Sequence, residues 1–360
     1  MNSARNRLES LNRSTSKPRL CTWSAARFPV SLLALGVALS ACTHQAAVVV
    51  APPTPAPTEV APEQPKESAG PTEPPPVVIL SDVGFATPES VYFDRKRDVY
   101  LVSNINGSPH EKDGNGFISK ITPEGEVTLK FIDGNASKTP LDAPKGLTVS
   151  GDTLYVADID KVRMFDALTG VSKGAIEIKK STFVNDVATG KDGVIYVSDS
   201  GLNEAWESTG TEAIYVILKG KAKKLVDAKK AKKAKSSLVG PNGLLAGEGG
   251  VWVVSQDGLL FWVSDKGEIG ATQKVSAGQN DGIVWIDDGR TLVASWADGA
   301  VFAGKPGSDF VKEVSGLEAP ADIGYDCQRN RLLIPLFKSD TVVLHSLNEP
   351  PATAPSADAP

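Results

Sequence analysis

Six short, mostly hydrophobic runs recur along the chain between polar and Gly-containing turn signals: DVYLVSN, TLYVAD, VIYVSDSG, VWVVSQDG, TLVASWADG and RLLIPLF. Apolar runs of that length bounded by turn signals read as strands. Each run follows a shorter segment across a turn: PESVYFD, PKGLTVS, VNDVATG, PNGLLAG, NDGIVWI and ADIGYD. One or two further strand-like stretches come after it, such as GFISKITP with EVTLKFI and LLFWVSD with EIGATQKV. The units recur about every 40 to 57 residues. That pattern predicts an all-β fold over residues 77–348, a six-bladed β-propeller with four antiparallel strands per blade. The last unit supplies RLLIPLF and TVVLHSL and then runs out of chain. The leftover PVVILSD at 76–82 is expected to be its missing strand, closing the ring and removing two open sheet edges. Two separate β-sandwiches would leave the six matched units unexplained.

Composition adds what lies outside the repeat. With 33 Gly and 25 Pro the chain is dense in turn signals, as an all-β protein requires. Near the start, Arg5, Arg7, Arg13, Lys17, Arg19 and Arg27 precede the apolar run FPVSLLALGVAL. The run is shorter than the ~20 residues of a membrane span, so residues 1–41 read as a signal peptide. It ends LSAC, which resembles the bacterial lipoprotein processing box. By that resemblance, cleavage before Cys42 places a diacylglycerol on its thiol and anchors the chain in the cell envelope, facing the periplasm. Thr43 stands where an Asp would mark inner-membrane retention, so the outer membrane is the expected location. An internal signal anchor is the alternative. Residues 42–76, almost pure Ala, Pro, Thr, Val and Glu, are expected to form an extended tether, and 349–360 a disordered tail.

Charge narrows the partners. Loss of the six basic residues and one acidic residue in 1–41 takes the net charge from −5 to −10. Such a protein is a poor non-specific binder of nucleic acid. Nine lysines between 219 and 235 run against this trend. They read as a solvated outer strand and loop, or as a contact for anionic lipid or another polyanion. Cys327, in GYDCQRN, reads as a packing residue, and no disulfide framework is expected.

In a propeller the innermost strand of each blade lines the central channel. Alignment of the six inner segments puts Glu89, Lys145, Asn185, Asn242, Asp281 and Asp322 at one level, none of them apolar. Asn185 is then a channel residue and not a misplaced core residue. Glu in PESVYFD, Asn in VNDVA, Asn in PNGLL and Asp in NDGIV resemble the metal-binding set of the senescence marker protein and gluconolactonase family. Paraoxonases and diisopropylfluorophosphatase share a similar propeller and set. The resemblance spans 77–348 and implies a divalent cation, most often Ca²⁺, held by Glu89, Asn185, Asn242 and Asp281. Two carboxylates and two amide carbonyls are hard oxygen donors that suit Ca²⁺ or Mg²⁺. Hydrogen bonding to channel water and loop backbone is the plainer reading of the same residues.

The sequence also departs from that family. Its gluconolactonase-type members carry an Arg two positions before the first channel Asn, gripping the sugar acid; here Phe183 takes its place at the substrate. The paraoxonase-type histidine dyad is missing, and His110 sits in the loop NINGSPHEKDGNGF. Lys145 either recognises an anionic substrate or lies on the surface at a turn. Catalysis would run on metal and carboxylate, hydrolysing a small lactone or ester. Asp281 or Asp186 would accept the proton, and Asn185 and Asn242 would orient substrate oxygen. Asp186 has an alternative role in satisfying backbone N–H groups beside a turn. No Ser-His-Asp arrangement, phosphate-cradling loop or Cys/His metal spacing supports another chemistry. The competing functions are a non-catalytic scaffold for a protein or glycan partner and a small-ligand sensor or carrier.

Overall fold

A computed structural model describes residues 77–136, 140–234 and 236–347. The expected signal peptide, Cys42, the tether and the tail fall outside the described residues. Among the described residues no helix is long and apolar enough to cross a membrane.

The described chain forms six four-stranded antiparallel sheets. Five are continuous in sequence, and their inner strands are Pro88–Asp94, Pro144–Ser150, Val184–Thr189, Pro241–Gly247 and Asn280–Trp285. The sixth joins the two ends of the propeller. Gly324–Asp326, Arg331–Leu336 and Thr341–Ser346 are completed by Val77–Leu80 on the outer edge. That strand pairs from Val77 with His345 to Leu80 with Val342, so the ring closes as the leftover PVVILSD predicted.

The apolar side chains of these strands pack between blades. Six buried clusters each occupy the wedge between two consecutive blades, including Phe261 with Tyr196 between the third and fourth. Phe93 and Leu333 share the wedge where first and sixth blades meet, so closure also buries apolar surface. Cys327 is buried in this wedge, packed with Phe93 and Leu333.

The lysine run divides in two. Lys221–Asp227 is the exposed outer strand of the third blade, and Ala228–Lys233 is a short helix. The Asp227 carboxylate caps that helix, accepting from the Lys230 N–H at 2.8 Å.

Candidate functional site: an acid and amide tier in the channel

A repeated defect in the inner strands builds the site. Val184 pairs with Asp199 and Val187 with Val197, so three steps on the inner strand oppose two on its neighbour. The same irregularity follows Pro88, Pro144, Pro241 and Asn280. A bulge leaves one residue unpaired and re-aims its neighbours. Two consecutive side chains therefore face the axis where a regular strand would turn one away. This is why Asn185 and Asp186 are both buried beside the channel.

The two bulge positions form two tiers. Glu89, Lys145, Asn185, Asn242 and Asp281 line a cavity of about 390 Å³ at the N-terminal ends of the inner strands. Ser90, Asp186 and Asp322 line a second cavity of about 380 Å³ along their C-terminal halves. Asp322 therefore does not belong to the first tier, as the alignment had it. Pro320 pairs with Leu336 as Pro144 pairs with Asp158, which makes Ala321 the sixth blade's equivalent residue. Asp322 stands level with Ser90, whose hydroxyl donates to it at 2.5 Å. Glycine fills the second tier in the other three blades. A Cβ on Gly146 would overlap the Asp186 carboxylate, and one on Gly282 would overlap Asp322 and Ile323.

Within the first tier, partners separate committed atoms from available ones. Asn185 Nδ2 donates to Ser200 Oγ at 3.0 Å, and that hydroxyl donates to the Pro241 carbonyl at 2.7 Å. This leaves the Asn185 carbonyl oxygen as the group it can offer. Glu89 Oε2 and Asp281 Oδ1 are buried without a hydrogen-bond partner. Burial, then Asp281 and Asp322, raise the Glu89 pKa well above the usual carboxylate range, while Lys145 pulls it down. Burial and Asp322 also raise Asp281, against Trp296 and the Asn242 amide. In the second tier burial pushes Asp322 up to about 7. Asp186 is raised by burial and by Asp322, although its oxygens accept from the Val187 and Leu244 N–H groups, both at 2.6 Å.

Lys145 faces the channel and is only 1% exposed. Its Nζ donates to the Ala143 carbonyl at 3.0 Å and sits 4.5 Å from the Phe183 ring centre. Burial lowers its pKa to about 8, against the pull of Glu89, Asp158 and Asp142. Phe183 is held in the wall by its backbone, because the Asp199 carboxylate accepts its N–H at 3.0 Å. Its ring lies 4.6 Å from His110 and 5.8 Å from Trp206. His110 is thus packed at the cavity's edge, its pKa lowered first by burial and then by Lys145.

Four wall residues, Ile105, Gln256, Trp296 and Phe337, were not legible as site residues in the sequence. All four occupy one repeat position, directly after the last residue of each blade's second strand or its pairing partner. Extending the alignment by one strand would have found them. Gln279 stands at the repeat position of Phe183, directly before the inner strand, whereas Trp206 comes from a loop and carries no such signal.

The residues fit a cation by donor chemistry: two unpartnered carboxylate oxygens and two amides share one cavity. Among the described residues no group of three or more His, Cys, Asp or Glu is disposed to hold a metal. Any such site therefore depends on the amide oxygens. The fold and tier together define a six-bladed propeller with an acid and amide ring at one mouth of its channel.

No protein-family model and no curated protein matches the chain significantly. Among solved structures, a gluconolactonase from Xanthomonas campestris is 14% identical, with 74% of this chain and 88% of that one covered and a TM-score of 0.54. Regucalcin from Agrobacterium tumefaciens, described as a calcium-binding protein, is 17% identical over 73% and 90%, with a TM-score of 0.54. Virginiamycin B lyase from Staphylococcus aureus is 13% identical over 76% and 99%, with a TM-score of 0.53. At these identities the likeness shows the shared propeller fold. The chain is similar to gluconolactonases and to regucalcin in architecture, and neighbours with a different chemistry share it too.

Proposed function

We propose that the first cavity binds one divalent cation, Ca²⁺ by donor chemistry, through Glu89, Asn185, Asn242 and Asp281, and hydrolyses a small lactone or ester. The observation that carries this reading is the pair of buried, unpartnered oxygens, Glu89 Oε2 and Asp281 Oδ1, lining one cavity with two amides. An isolated buried carboxylate is costly, and a cation would offset both charges. When bound, such an ion supplies Lewis-acid polarisation of a carbonyl group. The Asp281 carboxylate would accept the proton of the attacking water. Asp186 is less suited to that role because both its oxygens already hold backbone N–H groups. Asn185 and Asn242 orient the substrate oxygen, and Lys145 with Phe183 forms the wall against which the substrate rests. We place the protein in the cell envelope, facing the periplasm and tethered through a lipidated Cys42, on the strength of the LSAC motif and the Pro-rich segment after it.

Metal analysis of the purified protein, with lactone and ester hydrolysis by wild type and Asp281→Ala, tests the reading. One ion per chain and at least a hundredfold loss of activity in the variant are expected, in line with removal of a positioned base. Absence of both ion and turnover would sink it. A second reading, a ligand-binding scaffold or small-ligand sensor without turnover, is favoured by Lys145, whose ammonium already offsets part of the acid charge. It would show ligand uptake with no hydrolysis.

A further inference from the structure

Besides the Phe183 wall named above, the first cavity has aromatic surface that the chemistry leaves unused. Phe183 and Trp206 form one, with ring centres 5.8 Å apart, and Trp296 and Phe337 form another at 4.8 Å. Trp206 is 56% exposed, a large apolar surface on the lining of a cavity. Aromatic faces in a concave site favour planar rings, which stack at an offset or meet edge to face. A polyhydroxylated ligand would lose water from each hydroxyl and find few partners against these rings. Each wall also carries an ammonium group. Lys145 Nζ lies over Phe183, and Lys338 Nζ lies 5.8 Å from the Trp296 ring centre. Lys338 is exposed at the cavity's lining, so it can pair with an anion without leaving the aromatic face.

We propose that this cavity selects a planar aromatic acid, or an ester or lactone that carries one, with its ring between the two aromatic pairs and its anionic group on Lys338. Trp206, Trp296 and Lys338 are then specificity-determining residues. The proposal rests on reading the cavity as the substrate site, but it concerns binding and needs no turnover.

Titration of tryptophan fluorescence tests it directly, because Trp206 and Trp296 line the cavity. The probes are 2-naphthoate, naphthalene-2-carboxamide as its uncharged counterpart, and D-gluconate as a polyhydroxylated anion. Naphthoate is expected to bind at least tenfold more tightly than gluconate and several-fold more tightly than the carboxamide. Trp206→Ala should weaken naphthoate by roughly three- to tenfold, the range for one aromatic pair. Lys338→Met should remove the preference for naphthoate over the carboxamide. Both positions are exposed, and unchanged circular dichroism would show that the variants fold. Equal or tighter binding of gluconate, or naphthoate binding indifferent to both substitutions, overturns the proposal. Naphthoate binding without hydrolysis of a naphthyl ester sustains it while removing the hydrolase reading. Hydrolysis of sugar lactones without naphthoate binding does the reverse.

Discussion

Gly146 shows how little space the second tier allows. Its neighbour Asp186 bridges the third and fourth blades by accepting the Leu244 N–H, and a Cβ at position 146 would meet that carboxylate. Gly146→Ala should therefore cost about 1–3 kcal/mol, as overpacking does, read as a lower urea midpoint at unchanged slope. The glycine is required by close approach and not by a left-handed backbone. The same reasoning explains the PNG and NDG segments, where Gly243 abuts the Asp281 carbonyl and Gly282 abuts Asp322. The sequence set these glycines inside the inner-strand segments PKGLTVS, PNGLLAG and NDGIVWI. They mark where one inner strand lies against the next.

At the scale of elements, a polar residue at the end of a second strand ties down the loop before its inner strand. Asp199 Oδ1 accepts from Thr182, Phe183 and Gly201 at 3.0 to 3.3 Å. Asp158 does the same for Asp142 and Ala143, and Asn104 for Ala86. Asp199→Ala would leave these N–H groups without an acceptor at a cost of about 1–3 kcal/mol. It should also loosen Phe183, so weaker ligand binding is expected alongside the lower thermal midpoint. The strands and the ring closure were legible because short apolar runs bounded by turn signals recur six times, and the structure buries them on both faces. The bulge was not, since it changes pairing without changing the residue pattern. Aligned by residue type, Asp322 slid one place to match Asp281, because the true equivalent, Ala321, is apolar. Trp296 and Phe337 lie one residue past the second strands, a repeat position the inner-strand alignment did not reach, and Trp206 comes from a loop that carries no repeat.

For the whole molecule, the two tiers concentrate acid near the axis. Glu89, Asp186, Asp281 and Asp322 all have raised pKa values, so the metal-free folded protein retains protons that the unfolded chain has lost near pH 4. A folded state that binds more protons loses stability as pH rises. His110 and His345, with lowered values, act in the opposite sense only below about pH 6.5. Lys145, lowered to about 8, does so only above that value. The window between is governed by the carboxyl groups, and Asp322 titrates within it at about 7. In EDTA the thermal midpoint should therefore fall between pH 6.5 and 8. Added Ca²⁺ should raise it and flatten the slope, because the ion favours the charged forms. A flat profile in EDTA would mean that the acid tiers do not couple to folding.

The strand Val77–Leu80 is both the seam of the ring and the first described segment after the Pro-rich stretch. Under the proposed anchor at Cys42, any pull would enter the propeller along that seam, at its circumference. The antiparallel register from Val77–His345 to Leu80–Val342 would then carry the load along its length. Were the proposed Cys42 anchor to hold, its mooring would bear on the outer edge of the sixth blade, the edge farthest from the inner strands that line the channel.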